Sequence, residues 1–436
     1  MKTAAIICEF NPFHNGHAYI CDVLRRDHGA DHIIAIMSGN YVQRGEPAIF
    51  DKYTRARMAL TGGGHGCSSV RVFGASAANE VGGGYADLVL EIPVEYATAS
   101  AHEFAAAGVR IALATGVVNM LCFGVEGGVS LDGLKTYAAR LNEIESDPDN
   151  DKLKSLLKSG KTYPEAVSEL ISAPPSYSSP NNILAVEYLR ALMKYDTEHR
   201  IEAVGICRKG DGYGETVARD EHFCSAAALR NIIAGGHSAD QTCSKCKNSV
   251  RIDKETAKAG IGRKIENYVK AELLELYSAS VPVVPDDLSG LLNKSLLEAK
   301  YRGLDLTEFT DVSREIADRL IKRADIPMSF TERVADTKTR QYTYTRVQRA
   351  LLHICIGIRK NMDPDPVQTN DLYLRILGFR RDSGELMKAL KFCAEVPIIS
   401  KTADHKDLLK DEIYYDQLYY SLTHGPSEYE RSPVII

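Results

Sequence analysis

The sequence has 436 residues, of which 44% are hydrophobic and 25% are charged, and its formal net charge is −5 at pH 7. The length predicts two or three domains, and the slightly acidic balance excludes a general attraction to nucleic acids or anionic membranes, so any polyanion must bind at a local basic patch. The apolar run at residues 4–8 is shorter than the ~7–15 residues of a signal-peptide core, and no stretch reaches the ~20 apolar residues of a membrane span.

Apolar runs alternate with segments of helical periodicity over the first 230 residues. Strands are predicted at residues 4–9, 32–37, 86–92, 118–123 and 201–207, and helices at residues 16–27, 51–60, 101–115 and 181–195. Nearly continuous apolar strands that are joined by helices are typical of a parallel sheet with helices on both faces. We therefore predict an α/β fold with a Rossmann-like, doubly wound parallel sheet.

Two segments interrupt this pattern. Residues 61–85 are rich in Gly, Ser and Ala and predict an exposed insertion, with a short hairpin at 70–73, whereas the polar residues 236–262 predict a linker or mobile loop. Beyond them, helical periodicity occurs without alternating strands, at residues 262–279, 285–301, 306–323, 345–359, 370–377 and 382–394. This change of period predicts an α/β domain over 1–235 and an α-helical domain over 263–436.

The stretch EFNPFHNGHA, residues 9–18, lies where the first strand leads into the first helix. In a parallel sheet, ligands bind at the carboxyl ends of the strands, and the free amides of a helix N-terminus attract phosphate. His14 and His17 are three apart, so they face the same way and can donate hydrogen bonds to phosphate oxygens. Gly16 has no side chain, which leaves room for the close approach of a base or ribose.

This arrangement is typical of the HxGH site of nucleotidyl transfer, which stabilises the charge that grows on the α-phosphate while pyrophosphate leaves. Two structural alternatives exist for the histidines, which could cap the helix or bind a metal at helical spacing.

The sequence resembles the tRNA(Met) cytidine acetate ligase family, whose members are built on the HIGH-type nucleotidylyltransferase fold. The resemblance extends in the expected order through FNPFHNGH, MSGNYVQRGEPAIFDKYTRARMAL (37–60), ADLVLEIPVEYATASAHEFAAAGV (86–109), LCFGVEGG (121–128), PNNILAVEYLRAL (180–192) and TKTRQYTYTRVQRALL (337–352). It implies that ATP activates acetate as acetyladenylate, and that the acetyl group then passes to the wobble cytidine of elongator tRNA(Met) to give N(4)-acetylcytidine. It also implies Mg²⁺ as the ion on the leaving pyrophosphate.

The resemblance further implies that His14 and His17 are catalytic, and we assign no residue as a metal ligand. The implied ATP site comprises Ile7, Cys8, Glu9, Phe10, Asn11, Pro12, Phe13, His14, Asn15, Gly16, His17, Ala18, Tyr19, Ile20, Gly124, Asn182 and Arg208.

Several of these residues have simpler interpretations. Gly124 could be an ordinary turn glycine, and Arg208 a solvated surface arginine. Either Asn181 or Asn182 could cap the helix that follows Pro180, and we favour Asn182 for ATP.

Other positions depart from the family pattern or leave alternatives open. In CSAAALR (224–230), Ser225 and Arg230 match a phosphate-binding helix start, but Ala227 replaces a hydroxyl residue, and Gly214 stands where a histidine is expected. The polar side chains of Gln43, Arg44 and Glu46 could hold acetate or could brace a structural loop.

Ten cysteines are scattered along the chain, and several lie in apolar runs, as buried free thiols do. This usage predicts a reducing, cytoplasmic location. Neither a membrane nor a protein partner is predicted. Cys243 and Cys246 form one CxxC pair, and with Cys224 and His237 they leave a structural zinc site open.

Basic and aromatic residues alternate near the predicted helix at 345–359. Alone, the pattern is typical of a solvated basic helix face, but with the family resemblance it favours phosphate contacts and base stacking. The predicted tRNA-binding residues are Lys338, Arg340, Arg346 and Arg349.

Two other functions remain possible from the sequence. A nucleotidylyltransferase acting on a small phosphorylated metabolite explains the first domain but leaves the basic helical region without a role. A non-catalytic, nucleotide-sensing RNA-binding protein is consistent with the departures at Gly214 and Ala227.

Overall fold

A seven-stranded path of hydrogen-bonded strands forms the centre of the molecule, which we describe from a computed structural model. The structure describes residues 1–62, 84–147, 151–161, 163–172, 174–208, 222–234, 264–339, 342–360 and 372–436. The strands are β1 (Thr3–Cys8), β2 (His32–Ser38), β3 (Tyr41–Val42), β4 (Glu46–Pro47), β5 (Leu88–Ile92), β6 (Met120–Val125), β7 (Glu202–Cys207), β8 (Leu374–Phe379), β9 (Ile398–Ile399) and β10 (Val434–Ile435).

Helices surround this sheet and continue through the second half of the chain. The α-helices are α1 (Asn15–His28), α2 (Lys52–Leu60), α3 (Val94–Ala97), α4 (Ala101–Ala114), α5 (Leu131–Ser146), α6 (Asp151–Lys158), α7 (Tyr163–Ile171), α8 (Pro180–Tyr195), α9 (Ala226–Ile233), α10 (Leu274–Ala279), α11 (Ser289–Arg302), α12 (Arg314–Lys322), α13 (Phe330–Thr337), α14 (Tyr344–Ile356), α15 (Gly384–Cys393) and α16 (Lys410–Thr423). No described helix is long and apolar enough to span a bilayer.

The strand order is β10–β8–β5–β2–β1–β6–β7, with β9 paired to β8. From β1 the chain first builds outward through β2 and β5 and then returns to add β6 and β7 on the other side of β1, and all of these pairs are parallel. The predicted doubly wound α/β sheet is therefore confirmed. The direction of winding reverses between β1 and β6, and a crevice opens there at the carboxyl ends of the strands.

The sheet is buried on both faces because alternate residues of its strands enter two different cores. In β1, Ala4, Ile6 and Cys8 pack into one core with α1 and α2, whereas Ala5 and Ile7 pack into the other with α4 and α8. A strand that is buried on both sides reads as a continuous apolar run. The five predicted strands are confirmed as β1, β2, β5, β6 and β7.

A third core joins the helices of residues 283–358 to the short β3–β4 hairpin, since Tyr41 lies in the same cluster as Leu351. The prediction of helices in this half is confirmed for α11, α12, α14 and α15. The helix predicted over 370–377 is wrong, because residues 374–379 form β8, which pairs antiparallel with β5. The region 263–436 is thus not purely helical, and its last part completes the sheet.

The hairpin predicted at 70–73 and the linker predicted at 236–262 lie outside the described residues, as does most of the segment 61–85. The division into domains at residues 235 and 263 stays a prediction. Residues of 264–279 pack into the core that contains β1 and α1, with Ile265, Val269, Leu273 and Tyr277 buried there.

Candidate nucleotide-binding site

The loop between β1 and α1 crosses the crevice beside the reversal of strand order. A buried arginine, Arg55 of α2, holds its start: the guanidinium donates to the backbone carbonyl of Glu9 and, 3.2 Å away, to that of Ser38. Its Nε donates to the carbonyl of Phe50 at 2.9 Å. One side chain therefore joins the ends of β1 and β2 to α2.

His14 is the N-cap of α1, so the capping alternative is confirmed, and the cap also determines what the two imidazoles can do. His14 Nδ1 accepts the backbone N–H of Gly16 at 3.0 Å, and His17 Nδ1 accepts the N–H of His14 at 3.3 Å. A neutral imidazole that accepts at Nδ1 carries its proton at Nε2. Both histidines therefore present an Nε2–H donor, and the capping bonds hold them in that tautomer.

Burial keeps both imidazoles neutral. Burial, followed by the positive charges of Arg208 and Arg230, lowers the pKa of His14 to about 3. Burial, followed by the neighbouring His14 and then Arg208, lowers the pKa of His17 well below its usual range. His14 is 2% exposed, and its Nε2 has no hydrogen-bond partner within the described part of the chain. A buried donor without a protein acceptor is costly, so this N–H is placed to donate to an oxygen atom of a bound ligand.

Two glycines make room for side chains of the site. A Cβ on Gly16 would lie 2.8 Å from Cε1 of His14, so this glycine admits the imidazole itself. This differs from the predicted reason, which was the approach of a base or ribose. A Cβ on Gly124 would lie 3.1 Å from Cγ of Arg208, so the glycine allows the arginine to lie across the end of β6.

The crevice is a cavity lined by the predicted loop and by residues from six other places in the chain. Its lining residues are Ile6, Ile7, Cys8, Glu9, Phe10, Asn11, His14, Gly16, His17, Tyr19, Ile20, Arg44, Phe104, Cys122, Phe123, Gly124, Asn181, Leu184, Tyr188, Arg208, Ser225, Ala226, Ala227 and Arg230. The structure thus brings together both histidines, most of residues 7–20, Gly124 and Arg208.

Five predicted ATP-site residues do not line the cavity: Pro12, Phe13, Asn15, Ala18 and Asn182. Asn182 is completely buried, and its Nδ2 donates to the carbonyls of Glu126 at 3.1 Å and Ser176 at 2.8 Å. Asn181, in contrast, lines the cavity, and the assignment of one of these asparagines to ATP stays a prediction. Neither asparagine caps α8, whose N-cap is Ser179.

Phe13 and Phe10 form a wall around the second histidine. Their rings lie 5.5 Å and 4.8 Å from the ring of His17, and they restrict its rotation. Asn11 is buried, and its Oδ1 accepts the N–H of Ile49 at 2.8 Å. The Nδ2 of Asn11 has no partner among the described residues, so it is a second buried donor in this wall.

Three arginines bring positive charge to the lining of the cavity, and one of them, Arg230, is paired with Glu46 at 3.1 Å. Arg44, Arg208 and Arg230 line the cavity, and Nη1 of Arg230 donates to the carbonyl of Asn11 at 2.8 Å. Ser225 caps α9 by accepting the N–H of Ala228 at 3.0 Å, and it also lines the cavity. Arginine side chains and helix N-termini are groups that bind phosphates in proteins.

Sequence reasoning missed the apolar wall that α8 contributes. Asn181, Leu184 and Tyr188 line the cavity at positions i, i+3 and i+7 of one helix, and Phe104 of α4 lies on the same cavity wall. The helical spacing was a usable signal in PNNILAVEYLRAL. The buried position of Arg55 had no such signal, because an arginine in a helical segment is normally exposed.

No group of three or more His, Cys, Asp or Glu side chains that could hold a metal ion occurs among the described residues. Of the residues considered for a structural zinc site, Cys224 is buried, whereas His237, Cys243 and Cys246 lie outside the described residues.

The predicted tRNA-binding residues differ in their exposure and their partners. Lys338 and Arg346 are exposed, and the guanidinium of Arg346 lies 5.0 Å from the ring centre of Tyr342. Arg349 is different, because its Nε lies 2.8 Å from Oδ2 of Asp311 and its side chain is 11% exposed. Arg340 lies outside the described residues.

These features define a class of protein before any particular relative is considered. A doubly wound sheet with two neutral histidines at a helix N-terminus and a positive crevice at the strand reversal is suited to nucleotidyl transfer. The family model described as HIGH Nucleotidyl Transferase matches residues 1–65 and 80–432, and the chain belongs to this family. The gap in the match falls inside the Gly-rich segment 61–85.

A curated relative narrows this class. The tRNA(Met) cytidine acetate ligase of Acetivibrio thermocellus is 32% identical over 419 residues, which cover 93% of this chain and 89% of the relative. The resemblance noted from the sequence motifs is thereby confirmed.

Two solved structures share the fold over the full length of both chains. The apo crystal structure of Thermotoga maritima TmcAL superposes with a TM-score of 0.79 at 24% identity. The structure of the same protein bound with alpha-thio ATP superposes with a TM-score of 0.76 at 23% identity.

Proposed function

We propose that this protein is an ATP-dependent ligase that activates acetate as acetyladenylate and transfers the acetyl group to the wobble cytidine of elongator tRNA(Met), forming N(4)-acetylcytidine. One observation supports the proposed adenylation step most directly. His14 and His17 are buried and neutral, and each is held with an Nε2–H donor at the N-terminus of α1. The name of the Acetivibrio relative supports the choice of acetate and tRNA(Met).

In the proposed first step, a carboxylate oxygen of acetate attacks the α-phosphorus of ATP and pyrophosphate leaves, so no protein nucleophile is required. Negative charge grows on the non-bridging oxygens of the α-phosphate. His14 and His17 donate hydrogen bonds to that charge, and their low pKa values keep them as donors without making them acids. Arg208 and Arg44, which line the same cavity, balance the charge of the phosphates.

Mg²⁺ fits this site as a companion of ATP. The described residues offer no group of three metal-ligating side chains, and Mg²⁺ commonly binds through substrate phosphates and water with few protein ligands. When bound, the ion supplies positive charge for the leaving pyrophosphate.

The acetyl group is proposed to meet the tRNA beside the β3–β4 hairpin. Gln43 of this hairpin donates its backbone N–H to Oε1 of Glu9 at 3.0 Å, and Arg44 lines the cavity. The exposed side chains of Lys338 and Arg346, with Tyr342 and Tyr344, supply phosphate contacts and ring faces for an RNA. We leave Arg349 out of this surface because Asp311 neutralises it.

A cytoplasmic location is part of the same proposal. Four of the described cysteines, Cys8, Cys21, Cys122 and Cys355, are buried free thiols. Buried thiols that form no disulfide suit a reducing compartment, where tRNA is also found.

The test is to incubate the protein with ATP, Mg²⁺, isotopically labelled acetate and an unmodified elongator tRNA(Met) transcript, and to analyse the nucleosides by mass spectrometry. We expect labelled N(4)-acetylcytidine at the wobble position, and none when ATP is omitted. Adenylylation of a phosphorylated metabolite instead would favour a small-molecule nucleotidylyltransferase. ATP and tRNA binding without any product would favour a nucleotide-sensing RNA-binding protein.

A further inference from the structure

The β3–β4 hairpin lies between the cavity and helix α14, and it contacts both. On the cavity side, Arg44 lines the site and the N–H of Gln43 donates to the carboxylate of Glu9. On the opposite side, a Cβ on Gly45 would lie 2.4 Å from the backbone nitrogen of Arg349 in α14. The backbone of α14 therefore lies directly against the hairpin turn.

A chain of four polar groups follows the same route. Gln348 of α14 donates from Nε2 to Oε2 of Glu46 at 3.3 Å. The other carboxylate oxygen of Glu46 lies 3.1 Å from Nη2 of Arg230, and Nη1 of Arg230 donates to the carbonyl of Asn11 at 2.8 Å. Asn11 is three residues before His14, so this chain ends in the loop that carries the catalytic imidazoles.

The members of this chain are shielded from water, which strengthens their interactions. Gln348 is 6% exposed, and the side chains of Glu46 and Arg230 are 12% and 18% exposed. Tyr344 lies one turn before Gln348 on the same face of α14, and it is exposed. Partial burial and then the charge of Glu46 raise the pKa of Tyr344, as expected if its ring lies near that carboxylate.

We propose that Glu46 and Gln348 are positioning residues that couple the RNA surface of α14 to the catalytic loop. RNA bound at Arg346 and Tyr344 holds α14 against the hairpin, which holds Glu46 and Arg230 in place and thus fixes the carbonyl of Asn11 and the loop to His14. ATP bound in the cavity fixes the same groups from the other end. Each ligand therefore tightens the binding of the other. This inference rests on the proposed function, since it needs RNA to bind at α14.

The test measures the dissociation constant of a non-hydrolysable ATP analogue with and without saturating elongator tRNA(Met) transcript. We expect tRNA to tighten binding of the analogue by about fivefold or more in the wild type, and the analogue to tighten tRNA binding by the same factor. In Gln348→Met, which keeps the length of the side chain but cannot hold Glu46, the factor should fall to near one. Because the ratio is taken within each variant, a change in either affinity alone cancels.

A matched control uses Gln417→Met in α16, where Gln417 donates from Nε2 to Oγ of Ser427 at 3.0 Å, a bond that is not part of this chain. This variant should keep the wild-type coupling factor. An undiminished factor in Gln348→Met, or a wild-type factor of one although tRNA binds, would overturn the coupling and leave the proposed ligase intact. If the transcript neither binds nor becomes acetylated, the proposed function fails and the coupling fails with it.

Hydrogen–deuterium exchange on the wild type provides a second measurement that does not depend on a variant folding. Addition of tRNA alone should slow exchange at the amides of residues 10–18 as well as in α14. Protection of α14 with no change at residues 10–18 would contradict the proposal.

Discussion

At the scale of single residues, helix capping and the proposed catalysis use opposite nitrogen atoms of the same two imidazoles. The Nδ1 atoms of His14 and His17 accept backbone N–H groups that the first turn of α1 would otherwise leave unpaired. Since this fixes the tautomer, each Nε2–H is available for a phosphate oxygen without any rearrangement. A donor that is aligned before the reaction loses little free energy when charge develops, which is the physical basis of the transition-state stabilisation that we propose.

Replacement of His17 tests this role. We expect His17→Ala to lower the turnover of ATP–pyrophosphate exchange by ~10²–10³, with little change in the KM for ATP, because the lost bond forms fully only in the transition state. His28→Ala, at the other end of α1, is the matched control and should retain the wild-type rate. Near-normal turnover in His17→Ala would leave this histidine with the capping role alone.

The neutral state of His14 has a consequence for stability. Its pKa of about 3 in the folded protein lies below the value of about 6.5 in an unfolded chain, so the unfolded state binds more protons between these values and stability falls as the pH decreases. Between pH 7 and pH 5, the wild type should lose about 2 kcal/mol more free energy of unfolding than His14→Gln, in which the titrating group is absent. Urea unfolding at both pH values measures the difference. Parallel pH dependences would show that His14 is not held neutral.

At the scale of elements, the turn of the β3–β4 hairpin depends on a glycine for two reasons. Gly45 has a φ of +79°, and its Cβ position is occupied by the backbone of α14. Gly128 provides a matched control, because it has a φ of +68° but nothing within 4 Å of its Cβ position.

We expect Gly128→Ala to cost ~1–2 kcal/mol from the left-handed conformation alone. Gly45→Ala should cost more than this control by at least ~1 kcal/mol, because α14 must also move. It should reduce both pyrophosphate exchange and tRNA acetylation. Chemical unfolding and the two activity assays measure these effects. Equal losses of stability in the two variants would contradict the close packing of α14 on the hairpin.

A buried group of charged side chains fastens the C-terminal strands and α16 to α2 and β5. Lys52 Nζ lies 2.9 Å from Glu91 and 2.5 Å from Asp416, and Arg375 of β8 lies 3.1 Å from Glu91. The pKa of Asp416 is raised to about 7, first by burial, so its charge depends on these cations.

Removal of one cation would leave buried carboxylates without compensation. We expect Lys52→Met to lower the free energy of unfolding by ~3–5 kcal/mol. Lys294→Met, which breaks an exposed pair with Glu298, should change it by less than ~1 kcal/mol. A similar small effect of both substitutions in urea unfolding would show that the buried group does not hold these elements together.

The same elements show what sequence reasoning can and cannot predict. The β1–α1 motif was readable because a local pattern, an apolar run followed by HNGH, determines both the strand end and the helix cap. The strand β8 could not be predicted, because residues 372–377 form an apolar run broken only by Arg375. Such a run fits a buried helix as well as a strand. Arg375 is buried against Glu91 and Glu428, and both of these partners are distant from it in the chain. The position of Arg55 and the pairing of Arg349 with Asp311 likewise depend on contacts that no local pattern encodes.

At the scale of the whole molecule, an acidic protein must concentrate positive charge to bind RNA. We expect the double variant Lys338→Ala and Arg346→Ala to form acetyladenylate normally but to lose most tRNA acetylation, because the cytidine amine is no longer held beside the activated acetyl group. The logarithm of wild-type tRNA affinity should fall linearly with the logarithm of salt concentration, and the slope should decrease by about one unit for each contact removed. Binding at several salt concentrations measures both slopes. An unchanged slope with normal acetylation would place the RNA surface elsewhere.

We propose above all that acetate attacks the α-phosphate of ATP in this cavity and that no protein nucleophile takes part. ATP–pyrophosphate exchange with purified protein, Mg²⁺ and no tRNA tests this claim most directly. We predict exchange that requires acetate, saturates with its concentration and is lost in His17→Ala. Exchange that proceeds equally with a phosphorylated metabolite while acetate is inert, or no exchange with acetate and ATP present, would contradict it.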